Sequence, residues 1–247
     1  MQGILDKLIY IINLPIFFKH WIQEILNKLI PNVMSDLPKL YDSIIQTFIM
    51  LIQSGVISFF IGGFFGILLV VTKKYGILEN KIIYEVLSKV INFFRAIPFI
   101  ILLAMLVPLT RFIMGTAIGV RGAIIPLIFG TVPFFARQME SALSEVDSGL
   151  IEAAQSMGSS PIAIIFRVYL KESVAPIARG TTITAISLIS LTAMAGAVGA
   201  GGLGTYAIQS GYYRNKLDII YVSVILLVIL VGIIQAIGNF IVKKATH

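Results

Sequence analysis

SIIQTFIMLIQSGVISFFIGGFFGILLVVT, residues 43–72, contains no charged side chain; charges return at Asp42 on one side and Lys73 on the other. Roughly 20 apolar residues suffice for a helix to cross a bilayer, so this stretch holds one crossing, at about 46–71. Working outward, the same test finds four more. The second runs from about Val90 to Leu109 (90–109), with Arg95 inside its near end. The third, 117–138, is flanked by Arg121 and Arg137. Its uncharged core, Gly122 to Ala136, covers only about 22 Å, so both arginines are expected to reach toward opposite headgroup layers. Pro126 and Pro133 within it are tolerated in membrane helices that pack against neighbours. The fourth, 180–199, opens near Arg179 in a run uncharged until Arg214, and the fifth, 219–242, is the cleanest. The fold class is therefore an all-α integral membrane protein with five transmembrane helices.

Composition agrees. Of 247 residues 57% are hydrophobic and 13% charged, about half the charge typical of soluble domains, and mean hydropathy is +0.95. There is no cysteine, which excludes disulfides, thiolate metal sites and cysteine nucleophiles. Two histidines, His20 and His247, sit near opposite ends, which argues against a histidine metal site or a serine–histidine triad. The net charge of +7 comes from basic residues that mostly flank apolar runs. That pattern fits topology and anionic lipid, and not a nucleic-acid partner.

Residues 1–43 read differently. Lys7, Lys19, Glu24 and Lys28 interrupt the apolar pattern, while Ile22, Ile25, Leu26 and Leu29 share one helical face. An amphipathic helix lying in the interface, anchored by Trp21, is expected here; a sixth crossing from Ile4 to Phe18 is the alternative. The remainder, 44–243, forms one membrane domain. With five spans the termini lie on opposite sides. A cytoplasmic C-terminus puts Lys73, Lys74, Lys81, Lys89, Arg137, Arg167, Lys171, Arg179, Lys243 and Lys244 inside, against Arg111, Arg121, Arg214 and Lys216 in the outer loops and four lysines in the N-terminal tail. This orientation follows the positive-inside bias, and makes the long polar segment at about 139–178 cytoplasmic.

Within that segment stands Ile151-Glu152-Ala153-Ala154-Gln155-Ser156-Met157-Gly158-Ser159-Ser160-Pro161. The first six residues favour a helix. Gly158 can end it in a left-handed conformation, and Ser160 with Pro161 can cap and begin another. A short helix, a sharp turn and a second helix over Ile162 to Leu170 are expected. Small alanines allow close approach of a partner, and Glu152 offers a charge. On residue chemistry alone, an ordinary helical hairpin serves equally well.

Glu152-Ala153-Ala154, three residues, then Gly158 resembles the signature loop of permease subunits in bacterial ATP-binding-cassette (ABC) importers. Val168 and Leu170 fit its continuation, while Lys171 occupies the place of a proline. Phe94-Arg95-Ala96-Ile97-Pro98-Phe99-Ile100-Ile101-Leu102-Leu103, Ile124-Ile125-Pro126-Leu127, Pro133-Phe134-Phe135-Ala136-Arg137 and Gly196 to Gly204 are similar to successive spans of methionine-importer permeases. The resemblance covers most of the chain beyond residue 40. It implies a type I importer permease fold in the bacterial plasma (inner) membrane. Two copies of the chain would form the pore. Two ATPase subunits would dock at Glu152, Ala153, Ala154 and Gly158, and an extracellular or periplasmic protein would deliver the amino acid. ATP and Mg would belong to the ATPase, with no cofactor in this chain.

Thr181, Thr184, Ser187 and Ser190 recur every three positions, and with Met194 they are candidates for a translocation path; hydroxyls bonded to their own helix are the commoner outcome. Gly199, Gly201, Gly202 and Gly204 satisfy G-x-G-x-x-G, but a membrane helix precedes them where a dinucleotide site needs a strand. A helix break serving as gate or flexible exit loop is expected instead. Gly62 and Gly66 form a GxxxG suited to close helix approach. No phosphate-binding G-x-x-x-x-G-K-[ST] occurs, so the chain is not expected to be an enzyme hydrolysing ATP. None of the twelve carboxylates falls inside a predicted span, which disfavours a stand-alone proton-coupled carrier or channel. A membrane hydrolase would need a nucleophile–base pair that the spans lack.

Overall fold

A computed structural model describes residues 24–245, and every regular element among them is helical. Four helices are long and apolar enough to cross a membrane: Leu37–Thr72, Gly119–Ser144, Val174–Ala197 and Leu217–Ala245. They are the first, third, fourth and fifth crossings. The amphipathic helix and the alternative crossing from Ile4 to Phe18 fall mainly outside the described residues; residues 24–29 are helical and exposed.

The second crossing is broken, where the apolar run at 90–109 suggested one continuous helix. Lys81–Ala96 and Phe99–Met105 meet at 103°. Asn80 caps the first piece, its Oδ1 accepting from the Ile83 N–H at 3.1 Å, so this helix starts well before Val90. Pro98 ends it: proline lacks an N–H and drives the preceding residue out of the helical region, and Ile97 sits at φ −80°, ψ 123°. A third piece, Val107–Met114, stops at Gly115 in the left-handed conformation.

Two contacts show that this segment traverses the bundle. Lys73 Nζ donates to Ser144 Oγ at 2.9 Å, joining the ends of the first and third crossings. The Gly119 N–H donates to the Gly199 carbonyl at 3.3 Å, joining the start of the third to the end of the fourth. Residues 73–118 must therefore pass from one end to the other, which makes five crossings.

Packing follows the logic of a chain whose solvent is lipid. The first crossing buries a stripe of mostly small residues, including Thr47, Ser54, Ser58, Gly62 and Gly66, and turns Phe48, Ile52, Phe60 and Phe64 outward. Small residues let backbones approach where no hydrophobic force drives helices together. A Cβ at Gly62 would lie 3.0 Å from the Val132 carbonyl, and one at Gly66 would overlap Met139 and lie 2.8 Å from the Ala136 carbonyl. The GxxxG pair thus seats the first crossing on the third.

The third crossing continues to Ser144 and brings Arg137 and Glu140 into its helix. Arg137 turns to neighbouring side chains. Its Nη1 pairs with Glu140 at 2.6 Å, and its Nη2 donates to Ser88 Oγ at 2.6 Å and Asn92 Oδ1 at 2.9 Å on the second crossing. Tyr84 Oη donates to the other Glu140 oxygen at 3.3 Å. Neither charge is more than one-fifth exposed, so each is held by its partners in place of water.

Candidate functional site

The polar segment between the third and fourth crossings folds largely as its residues suggest. Asp147 caps a helix over Ser148–Ser156, its Oδ1 accepting from the Gly149 N–H at 2.6 Å. Gly158, at φ +74°, closes it. The N–H groups of Met157, Gly158 and Ser159 donate to the carbonyls of Ala153, Gln155 and Ala154 at 3.1, 2.9 and 3.1 Å. Ser160 Oγ accepts from the Ala163 N–H at 3.3 Å, and Pro161 opens the next helix. That second helix widens to π geometry over Ile165–Tyr169 before Leu170–Glu172. Lys171 lies in this helical turn, so the proline position produces no bend there; the helix breaks at Ser173, φ −96° and ψ 13°.

Ala154 is the buried face of the short helix, packed on Leu143, Ile164 and Tyr169. Burial pushes the Tyr169 phenol above its ordinary pKa, so it stays neutral beneath the helix. Glu152, Ala153 and Gly158 are exposed. On the same hairpin Leu150, Met157, Ile162 and Phe166 are also exposed, Met157 by 78%. The Glu152 carboxylate has no ion pair or hydrogen bond among the described residues. A carboxylate and a bare alanine on a hairpin that exposes several large apolar side chains make a surface suited to another protein. The exposed apolar set was not evident in the sequence, because its members come from both helices.

The five path candidates on the fourth crossing do not open on one cavity. Steps of three residues fall about 60° short of a full turn, so the row winds around the helix. Thr184, with Thr181, Ser58 and Thr131, lines a hollow of about 450 Å³ between the first, third and fourth crossings; its Oγ1 donates to the Gly180 carbonyl at 2.8 Å. Ser187 lines a different cavity, about 240 Å³, beside Arg95 at the break in the second crossing. Ser190 faces the fifth crossing near Leu227 and Val228. Met194 is exposed.

The glycine segment is a braced turn. Gly199, Gly201 and Gly202 have φ of +88°, +89° and +74°, a region open to glycine at little cost. The chain then folds back, with Gly204 against Ala193 and Gly196. Gln46 Oε1 accepts from the Gly202 N–H and Thr47 Oγ1 from the Leu203 N–H, both at 2.8 Å. Thr205 Oγ1 accepts from the Gly201 N–H at 2.8 Å. Helical residues Gly202–Thr205 and Tyr206–Tyr212 follow, with Tyr206 buried against Val33 and Ile219. Nearby, Asp218 Oδ2 accepts from the Asn32 N–H at 2.9 Å. These anchors were missed because Gln46 and Thr47 look like incidental polar residues in an apolar run.

Five crossings, a braced end and an exposed helical hairpin at the other define a membrane transport subunit. The chain belongs to the family of binding-protein-dependent transport system inner membrane components, which it matches over residues 58–245. It is 46% identical over 202 residues to the probable D-methionine transport system permease protein MetI of Vibrio cholerae, spanning 82% of this chain and 90% of that one. It is 43% identical over 214 residues to the methionine import system permease protein MetP of Bacillus subtilis, spanning 87% and 96%. A solved inward-facing structure of the MetNI methionine ABC transporter superposes with a TM-score of 0.84 at 43% identity, covering 86% of this chain and 99% of that one. An amino acid ABC transporter at 19% identity shares the fold, with a TM-score of 0.71. The chain is thus a permease subunit and not an enzyme, and the stand-alone carrier reading is set aside.

Proposed function

We infer that the chain is the pore-forming subunit of an ATP-driven importer of methionine, as the L or D isomer. Two copies form the translocation pathway in the bacterial plasma membrane, with residues 44–243 as the permease domain and 1–43 as an interfacial segment. The C-terminus and the 139–178 loop lie in the cytoplasm. Two ATPase subunits dock there, one on each Glu152–Gly158 helix, and an external binding protein delivers the substrate. Closure of the ATPase pair swings these helices and turns the pore outward, a rigid-body alternation about a central site.

The observation that carries this reading is the exposed helix itself. Glu152 and Ala153 stand bare on a hairpin that also exposes large apolar side chains, at the bundle end where Lys73 meets Ser144 and Arg179 pairs with Glu145 at 3.5 Å. The names of the relatives supply the substrate. Glu152→Arg is expected to abolish substrate-stimulated ATP hydrolysis in the assembled complex while leaving membrane insertion intact. Normal stimulation in this variant, with the complex assembled, overturns the docking assignment.

A further inference from the structure

Arg95 lies at the middle of the bundle, and not near its end as an unbroken 90–109 helix would place it. Its helix begins at Lys81, so Arg95 is roughly 20 Å along the axis at about 1.5 Å per residue. It lines the 240 Å³ cavity with Phe94, Phe99, Gly130, Phe134 and Ser187. Gly130 and Ser187 stand near the midpoints of the third and fourth crossings, Gly119–Ser144 and Val174–Ala197. Arg95 is exposed on the single chain. It has no ion pair or hydrogen bond among the described residues.

A guanidinium facing hydrocarbon at mid-depth costs several kcal/mol, so intramembrane arginines face a partner or a wet path. Among the described residues no carboxylate is available at that depth. Glu85 is about 15 Å further down the same helix. Glu140 is held by Arg137, and Asp42 and Asp218 lie at the opposite end, near the starts of the first and fifth crossings. The fourth crossing has no acid. A second copy of the chain brings the same set and no new one. A mobile anion would supply the missing partner.

We propose that Arg95 receives the carboxylate of the amino-acid substrate as it passes the break in the second crossing, with Phe94, Phe99 and Phe134 contacting its side chain. The planar fork of arginine matches a carboxylate in two parallel hydrogen bonds. Ile97 and Pro98 end the helix just beyond Arg95, so the cavity that Arg95 lines lies beside the break. This assignment rests on the amino-acid importer reading.

The test uses the complete complex with its ATPase and binding protein in proteoliposomes. Uptake of methionine and of methionine amide, which lacks the carboxylate charge, is measured for wild type, Arg95→Gln and Arg95→Lys. The binding protein is common to all three, so its own selectivity cancels when preferences are compared. Arg95→Gln is expected to lower methionine uptake and to shrink the preference for methionine over the amide by about tenfold or more, as loss of a charged hydrogen bond does. Arg95→Lys, which keeps the charge but loses the fork, is expected to fall between, and it carries the test if the glutamine variant does not assemble. Unchanged preference in the assembled variants overturns the proposal. So does an equal loss for both solutes, which would make Arg95 only a charge balancing the carbonyl end of its helix. If the wild-type complex takes up neither solute, the importer reading fails instead.

Discussion

Replacing Gly158 isolates one physical effect. A Cβ built there meets no atom within 4 Å, yet φ is +74°, so alanine adds no clash and the change acts through the backbone alone. Holding an L-residue in the left-handed region costs about 1–2 kcal/mol, less for asparagine, whose side chain can bond locally. The alternative, relaxing the turn, gives up the three hydrogen bonds from Met157, Gly158 and Ser159, each worth about 1 kcal/mol. The strained turn is the lesser loss. Its population relative to undocked shapes should still fall by about 5- to 30-fold.

That fall is expected as weaker binding of the ATPase subunit, because the turn sets the angle between the two helices of the hairpin. The assay is titration of purified permease with the ATPase, read both as complex formation and as stimulated ATP hydrolysis. Gly158→Ala should weaken binding by the factor above. Gly158→Asn should lie close to wild type. Alanine binding as tightly as glycine would refute the reasoning. So would asparagine falling as far as alanine, because the loss would then follow side-chain chemistry and not φ.

Two further substitutions probe the bundle. Gly66→Leu places a side chain where even a Cβ overlaps Met139, so it should lower thermal stability in detergent by at least the 1–3 kcal/mol usual for overpacking; Gly63→Leu, whose nearest neighbour would be 3.8 Å from the Cβ, should stay near wild type. Arg137→Met strands Glu140 in a site where its side chain is 16% exposed and should cost about 3–5 kcal/mol, with Arg137→Met/Glu140→Gln regaining part of that loss in the same thermal unfolding measurement.

What could be read from the sequence was what depends on local chemistry. Uninterrupted apolar length marked the first and fifth crossings, and Gly158, Ser160 and Pro161 marked the hairpin because caps act within a few residues. The fourth crossing starts earlier than its uncharged run suggests: residues 174–179 are helical and carry Arg179 inside the helix. The second was misplaced for a related reason. Hydropathy averages over residues 90–109 and cannot see that Pro98 breaks the helix, or that Asn80 starts it. Arg137 and Glu140 looked like loop charges because their compensation comes from Ser88, Asn92 and Tyr84, some fifty residues away. The hydroxyl row on the fourth crossing is a different case, its members lining separate cavities. Its spacing is regular, but a three-residue period is not the period of the helix.

The placement of hydrogen bonds bears on how such a chain can alternate. At the end holding Gly199–Gly202, the first crossing is tied to the glycine turn by Gln46 and Thr47. The third is tied to it through Gly119, and the N-terminal segment is tied to the fifth through Asn32 and Asp218. Bending the chain there would strip several backbone groups of partners in a place with little water to replace them, at about 1–3 kcal/mol for each. A glycine turn braced in this way is a poor hinge, despite its composition. The break at Ile97–Pro98 has no such brace: the Ile97 N–H reaches only the Phe94 carbonyl, at 3.4 Å. If one chain flexes within itself, it flexes there, beside Arg95. Otherwise the five crossings move together, and access changes between copies.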